Sequence, residues 1–226
     1  MTDGNVKAAL LQAAEPHVPF DGWTEATFQA AQADAGISAG LAKAACPRGA
    51  VDLAVAFHEE GDAVMEKRLF DEDLSHLRYS EKVAAAVRFR IEAIEDKELV
   101  RRGATLFALP QYAGDGARLI WGTADRIWIA LGDTSQDVNW YSKRAILSGV
   151  YGSTVLYWLG DETPGQEATW EFLDRRIAGV MQFEKLKARV RNAPLTTRLM
   201  DGPLSFLGNI RAPGSAPSDM PGRWSR

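Results

Sequence analysis

Three histidines, His17, His58 and His76, and one cysteine, Cys46, make up the whole stock of imidazole and thiol in this 226-residue chain. A ferritin-like di-iron site needs several carboxylates and paired Glu-x-x-His motifs on facing helices. The nearest spacing is Asp73-Leu74-Ser75-His76, which stands alone and has Asp in place of Glu. Zinc sites need more Cys and His than this. Cys46 has no neighbouring His and reads as a small buried residue. His58-Glu59-Glu60 reads as a solvated helix face. Asp133 and Asp137 have the spacing of a carboxylate dyad, but helix capping and the helix dipole account for them more simply. There is no Gly-x-Gly-x-x-Gly and no phosphate loop. The expectation is a non-enzyme with no catalytic residues, no metal and no cofactor. The chemistry left to the chain is recognition. Val138, Asn139, Trp140, Tyr141, Lys143 and Arg144 crowd apolar, amide, aromatic and basic groups into two helical turns. One helix cannot bury all of these on one face, so part of the Trp140/Tyr141 pair faces outward. Either these are half-buried core aromatics beside solvated cations, or they form a docking patch of the residue types that dominate binding energy at interfaces.

The element that must carry this run is expected to be one long helix from Gly132 to Asp161. Asp133, Thr134 and Ser135 are candidate N-caps, Asp137 lies near the positive end of the dipole, and Gly160 is the stop. Its second half, Ala145 to Leu159, is mostly apolar and is expected in a core or along a cavity. The rest of the chain also has helical periodicity. Val6–His17 forms a first helix ended by Pro16 and Pro19, and Phe20-Asp21-Gly22 makes a turn. Thr24 caps a second helix, and Ser38 caps a short third one through Ala45 after the turn at Ala35-Gly36. A fourth, through Val51, Leu53, Ala54, Phe57, Val64, Met65 and Leu69, is the long connector. Glu81–Leu99 is amphipathic, with Val83, Val87, Ile91 and Ile94 on one face and Arg88, Arg90, Glu92, Glu95 and Lys97 on a charged one. Further helices follow at Leu99–Leu109, Ala113–Ala130 and Glu167 to about Arg191. No alternation of strand type and no internal repeat is present, so the fold class is all-α.

Apolar residues make up 46% and charged residues 25%, ordinary for a globular chain with a real core. One cysteine excludes an internal disulfide and points to a reducing compartment. No apolar run is long enough to span a bilayer, and Met1–Pro16 lacks the layout of a signal or transit peptide, so a cytoplasmic protein is expected. The net charge of −4 is unevenly spread: residues 175–226 carry +7 and residues 1–174 carry −11. A basic end on an acidic body suits an anionic surface. Within it Leu195, Leu199, Met200, Leu204, Phe206, Leu207 and Ile210 are large and apolar, with Arg198 among them, a composition suited to lying in a membrane interface. Gly202-Pro203 interrupts any helix there. Residues 212–226 are rich in Pro, Gly and Ser and are expected to be disordered.

The first 48 residues resemble the N-terminal domain of the TetR repressors. The helix opened by Thr24, the Ala35-Gly36-Ile37-Ser38 turn and the short helix after it follow at that family's helix-turn-helix spacing. The chemistry departs from it. Residues 24–46 offer only Lys43 against Glu25 and Asp34, and Ala39, Gly40, Leu41, Ala42, Ala44 and Ala45 present almost nothing to a base edge. A retained scaffold without nucleic-acid binding is expected; the alternative is a TetR-type ligand-responsive transcriptional regulator.

Five motifs resemble one family in order. They are Gly22-Trp23-Thr24, Pro47 to Leu53, Asp125-Arg126-Ile127-Trp128, Gly132 to Arg144, and Thr169 to Ile177. This is the ninth Coq protein family, lipid-binding accessory factors of ubiquinone biosynthesis, and the likeness spans roughly residues 5–190. The resemblance implies a TetR-like helical bundle that does not serve transcription. It implies a helix-turn-helix-like region at 1–48 and a larger helical domain at 49–193 enclosing an apolar pocket for an isoprenoid quinone precursor or phospholipid. It further implies an amphipathic membrane-binding segment at 194–211, a homodimer, and peripheral association with the bacterial inner membrane. The partner it implies is the demethoxyubiquinone hydroxylase, docked through Asp137, Asn139, Trp140, Tyr141, Lys143 and Arg144. For the pocket walls the apolar candidates are Trp121, Trp128, Val150, Val155, Leu156, Leu159, Ile177 and Met181.

Overall fold

A computed structural model of the chain describes residues 3–136 and 138–191, and the side chains of 4–136 and 138–180. All the described regular elements are helical, as the periodicity predicts: α1 (Asp3–Ala14), α2 (Val18–Asp21), α3 (Glu25–Ala35), α4 (Ala39–Ala45), α5 (Ala50–Asp71), α6 (Tyr79–Glu92), α7 (Lys97–Phe107), α8 (Ala113–Ala130), α9 (Val138–Leu159) and α10 (Glu167–Arg191), with a 3-10 turn at Pro164–Gln166 before the last. The expected membrane-binding residues Leu195, Arg198, Leu199, Met200, Leu204, Phe206, Leu207 and Ile210 lie outside the described residues. Among the described residues, no helix is long and apolar enough to cross a membrane.

The caps fall where the side chains predict them in the first half. Thr24 accepts from Thr27 N–H at 3.4 Å and Ser38 from Leu41 N–H at 3.5 Å. Gly36, at φ 63°, closes α3 in the left-handed conformation that a side chain resists. These caps set α3 and α4 as a helix-turn-helix against α1, around Val6, Leu10, Phe28, Cys46 and Leu53.

Three expectations need correction. Pro19 does not end the first helix; it sits in the first turn of the short α2, where its missing N–H is not needed. The helix expected over Glu81–Leu99 is two helices, because Asp96 accepts from Glu98 N–H at 2.8 Å and starts α7 anew. The long helix expected from Gly132 begins at Val138, and Asp133 accepts from the side chains of Lys143 and Arg144 in it.

Two joints hold the second half together. Trp23 Nε1 donates to Leu99 O at 3.1 Å and Arg102 donates to Pro19 O at 2.7 Å, which ties the helix-turn-helix to α7. Lys97 Nζ donates to Trp158 O (2.9 Å) and Asp161 O (2.7 Å), and Arg101 to Leu159 O (2.8 Å). Cations thus meet the free carbonyls that end α9. Asp161 then starts the next element: Thr163 and Thr169 each give it a hydroxyl and a backbone N–H, and these bonds hold its carboxyl well below the usual range.

Candidate functional site

Helices α5 to α9 do not close completely on one another. Between them lies a cavity of about 460 Å³, within the span of ligand pockets. Trp23, Phe57, Leu99, Phe107, Ile120 and Val155 are among its apolar lining. Small residues make the room: Gly103 and Ala104 on α7, Gly116 and Ala117 on α8, Gly152 on α9. At Gly116 an added Cβ would stand 2.8 Å from Phe107 Cβ, so only glycine lets α7 and α8 approach this closely. Leu156, 68% exposed, lines the wall at the solvent side.

The opposite wall is polar. Arg90, 2% exposed, donates from Nε to Asp62 Oδ1 at 2.6 Å and from Nη2 to His58 O at 2.9 Å. Thr123 Oγ1 donates to the same Asp62 oxygen at 2.9 Å and lies 2.8 Å from His58 Nε2. With the His58 proton on Nε2, the chain His58, Thr123, Asp62 is satisfied in sequence. Burial, then the neighbouring Arg90, pushes His58 down to about 3, so the ring is neutral. Asp62 Oδ2 is 3.9 Å from the ring, beyond hydrogen-bond reach. The buried Tyr151 ring completes this wall, under the Arg90 guanidinium at 5.9 Å.

Two of the expected pocket residues, Val155 and Leu156, line this cavity. The others do not. Trp128, Val150 and Ile177 face a smaller hollow of about 80 Å³ behind α9. Leu159 is core, and Trp121 packs on Trp140 with ring centroids 6.0 Å apart. The Met181 side chain lies outside the described residues. His58, expected on a solvated face, and Arg90, expected on a charged one, are instead in the cavity wall. The signal was available: His58 and Asp62 continue the Ala54–Met65 stripe of α5, and Arg90 continues the Val83–Val87 stripe of α6, so charged groups stand on apolar faces.

The second feature is the surface at the start of α9. Val138 and Tyr141 are exposed and Asn139 with them, while Trp140 is half-buried. Tyr141 meets the Trp140 ring edge-on at 4.8 Å. Arg144 is not on this surface. It is 2% exposed, donates to Asp125 (2.5 Å) and Asp133 (3.3 Å), and its guanidinium lies 3.9 Å over the Trp140 ring. Arg144 therefore backs the Trp140 ring and presents almost no surface of its own. Lys143, partly exposed, donates to Asp133 at 2.6 Å and to Ser135 at 2.7 Å. Burial would raise Asp133, but these bonds outweigh it and hold the carboxyl below its ordinary value. Asp133 thus ties the 131–136 loop to α9. Asp137, also expected in the patch, lies outside the described residues. Among the described residues no cluster of three metal-ligating side chains occurs.

The helix order and the small-residue cavity define a TetR-like bundle. A TetR transcriptional regulator from Nitrosomonas europaea matches with TM-score 0.63 and 16% identity, over 76% of this chain and 95% of that one, a likeness of fold alone. In the helix-turn-helix, α4 exposes Lys43 among Ala39, Gly40, Leu41 and Ala44.

The sequence is similar to one family in particular. The COQ9 family model matches residues 113–184, from the start of α8 into α10. The ubiquinone biosynthesis protein COQ9, mitochondrial, of Rattus norvegicus is 31% identical over 204 residues, covering 84% of this chain and 64% of that one. The Homo sapiens protein of that name is 30% identical over 196 residues, covering 81% and 60%. The chain is similar to the COQ9 proteins over most of its own length, and it spans about three fifths of the length of these curated relatives.

Proposed function

We propose that the protein is a non-catalytic, lipid-binding accessory factor of ubiquinone biosynthesis. It takes an isoprenoid quinone precursor or a phospholipid into the cavity and presents it at the membrane to the demethoxyubiquinone hydroxylase. The cavity between α5 and α9 carries this reading. Its walls are apolar, it is walled by small residues where helices cross, and it reaches solvent at Leu156. The names of the relatives support the pathway. Each methylene buried contributes about 0.8 kcal/mol, so roughly ten contribute about 8 kcal/mol before the cost of association. Binding of that strength holds a lipid yet lets it leave. Val138, Asn139, Trp140 and Tyr141 serve as the docking surface, with Arg144 behind them. The protein acts as a homodimer, associated with the inner membrane of a bacterial cell through residues 194–211.

The test is displacement of Nile red by a decyl-tailed quinone, in wild type and in Gly152→Leu. An added Cβ at Gly152 has Ile120 Cδ1 at 3.8 Å, so leucine fits the helix and fills the cavity beyond it. The variant is expected to bind tenfold or more weakly with an unchanged melt. Equal affinity would remove the cavity as the binding site.

A further inference from the structure

The cations behind the Trp140 surface are gathered by one residue of the 131–136 loop. The Asp133 side chain is 2% exposed. Its Oδ1 accepts from Lys143 Nζ and from Ser135 Oγ, and its Oδ2 accepts from Arg144 Nη1. Lys143 and Arg144 are consecutive on α9, so a single buried carboxylate spans both. Lys143 Nζ also donates to Ser135 Oγ at 2.7 Å, which closes a ring of three groups around Asp133 Oδ1.

Arg144 carries this constraint on to Trp140. Its Nε donates to Asp125 on α8 at 2.5 Å, and its Nη1 donates to Asp133 and, at 3.2 Å, to the Trp140 carbonyl. A planar guanidinium held at two of its nitrogens cannot turn without breaking a bond. Its face lies 3.9 Å from the Trp140 ring centre, and the Trp121 and Tyr141 rings stand around the same indole at 6.0 and 4.8 Å. The three acceptors are not equivalent. The Trp140 carbonyl belongs to α9 itself, and Asp125 is 34% exposed. Asp133 is the anchor that sits on a separate element and is shut off from solvent. The charges of Asp125, Asp133, Lys143 and Arg144 sum to zero, so this surface offers a partner an aromatic anchor and not a net positive patch.

Resting on the docking reading above, we propose that Asp133 is the positioning residue of the docking surface. Buried beneath it, Asp133 fixes the Arg144 guanidinium, and Arg144 fixes the Trp140 indole in one orientation before a partner arrives. A side chain that is free to move loses rotamer freedom when it is captured, whereas one already held loses little. Asp133 therefore governs how tightly the partner is held.

The experiment measures binding of the full chain to the demethoxyubiquinone hydroxylase, together with fluorine NMR of fluorotryptophan-labelled protein. The Trp140 line is assigned from Trp140→Phe. Asp133→Asn keeps the shape of the side chain and removes its charge. It is expected to weaken binding about three- to tenfold, the effect of ordering one side chain on association. It is also expected to shift or broaden the Trp140 line and to leave the lines of Trp23 and Trp170, elsewhere in the fold, in place. In a Trp140→Ala background the same change is expected to alter the remaining binding by about twofold or less, because its route runs through the ring. Should Trp140→Ala leave no binding to measure, the fluorine spectra decide. Should Asp133→Asn not fold, Ser135→Ala, which takes one hydroxyl from Asp133 and no charge, is expected to move the same readouts by less. Equal losses in both backgrounds, or displacement of all tryptophan lines alike, would mean that Asp133 only supports the fold and would overturn the inference. Full binding by Asp133→Asn beside weakened binding by Trp140→Ala would overturn it and leave the docking reading standing. Full binding by Trp140→Ala would remove the docking reading, and this inference with it.

Discussion

Replacing Gly61 with alanine separates two effects of opposite sign. In a helix interior alanine is favoured over glycine by about 1 kcal/mol, so α5 on its own gains from the change. The structure opposes it. The new Cβ would stand 2.5 Å from Arg90 Nη1, 2.7 Å from Cζ and 3.0 Å from Nη2. The end of an arginine normally swings aside at little cost. Here it is 2% exposed and pinned by Asp62 at 2.6 Å and His58 O at 2.9 Å. Overpacking of a core costs about 1–3 kcal/mol, and breaking a buried pair about 3–5 kcal/mol. Sterics win, and the net is a loss of about 2–3 kcal/mol, or roughly 5–10 °C in Tm for a chain of this size. Gly122→Ala is the control. It also lies inside a helix, but its Cβ meets nothing within 4 Å, so a gain of about 0.5–1 kcal/mol is expected. Urea and thermal melts of both variants beside wild type give the answer. If Gly61→Ala is as stable as Gly122→Ala, Arg90 is not seated over α5 and the polar wall described here is wrong.

Arg144→Ala removes a guanidinium buried between Asp125 and Asp133 and is expected to cost about 3 kcal/mol in urea denaturation; a loss under about 1 kcal/mol would mean the residue is not buried. The pH dependence follows from His58. The unfolded ring takes up a proton below about 6.5, and the folded one refuses it until about 3, so stability is full above the unfolded value and falls with pH across that window. Each pH unit in it costs about 1.4 kcal/mol. Asp62, raised by burial, works in the opposite direction toward the carboxylate range, so the comparison of wild type with His58→Gln is the measurement. The variant is expected to have the shallower acid limb, and parallel limbs would refute a neutral, buried His58. Tyr141→Ala, which removes the edge-on contact with Trp140, is expected to cost about 0.5–1.5 kcal/mol in the melt while weakening hydroxylase binding in a pull-down, and undiminished binding would remove this residue from the docking surface.

Periodicity made the helices legible because each buries one face, and caps such as Thr24 and Ser38 sit beside the turns they open. What it missed has a common cause. Arg90, Asp62 and His58 are ionisable, and hydropathy assigns ionisable groups to solvent, although their spacing puts them on the apolar stripes of α5 and α6. Arg144 was misplaced the same way, since its partners Asp125 and Asp133 lie on another helix and in a loop that one-dimensional spacing does not bring near. The start of α9 shifted because Asp133, a good cap by type, is occupied by Lys143 and Arg144. The cavity residues divide on similar grounds. An apolar helix signals burial, but which of its faces meets a gap depends on glycine and alanine on the neighbours, such as Gly103 and Gly116 against α9 residues Val155 and Leu156.

The most direct test of the central claim is native mass spectrometry of the purified protein, with organic extraction of what it carries. An apolar quinone-type or lipid molecule is expected bound to the wild-type subunit and reduced or absent in Gly152→Leu. A lipid-free wild-type protein that also takes up no decyl-tailed quinone when it is added would contradict it.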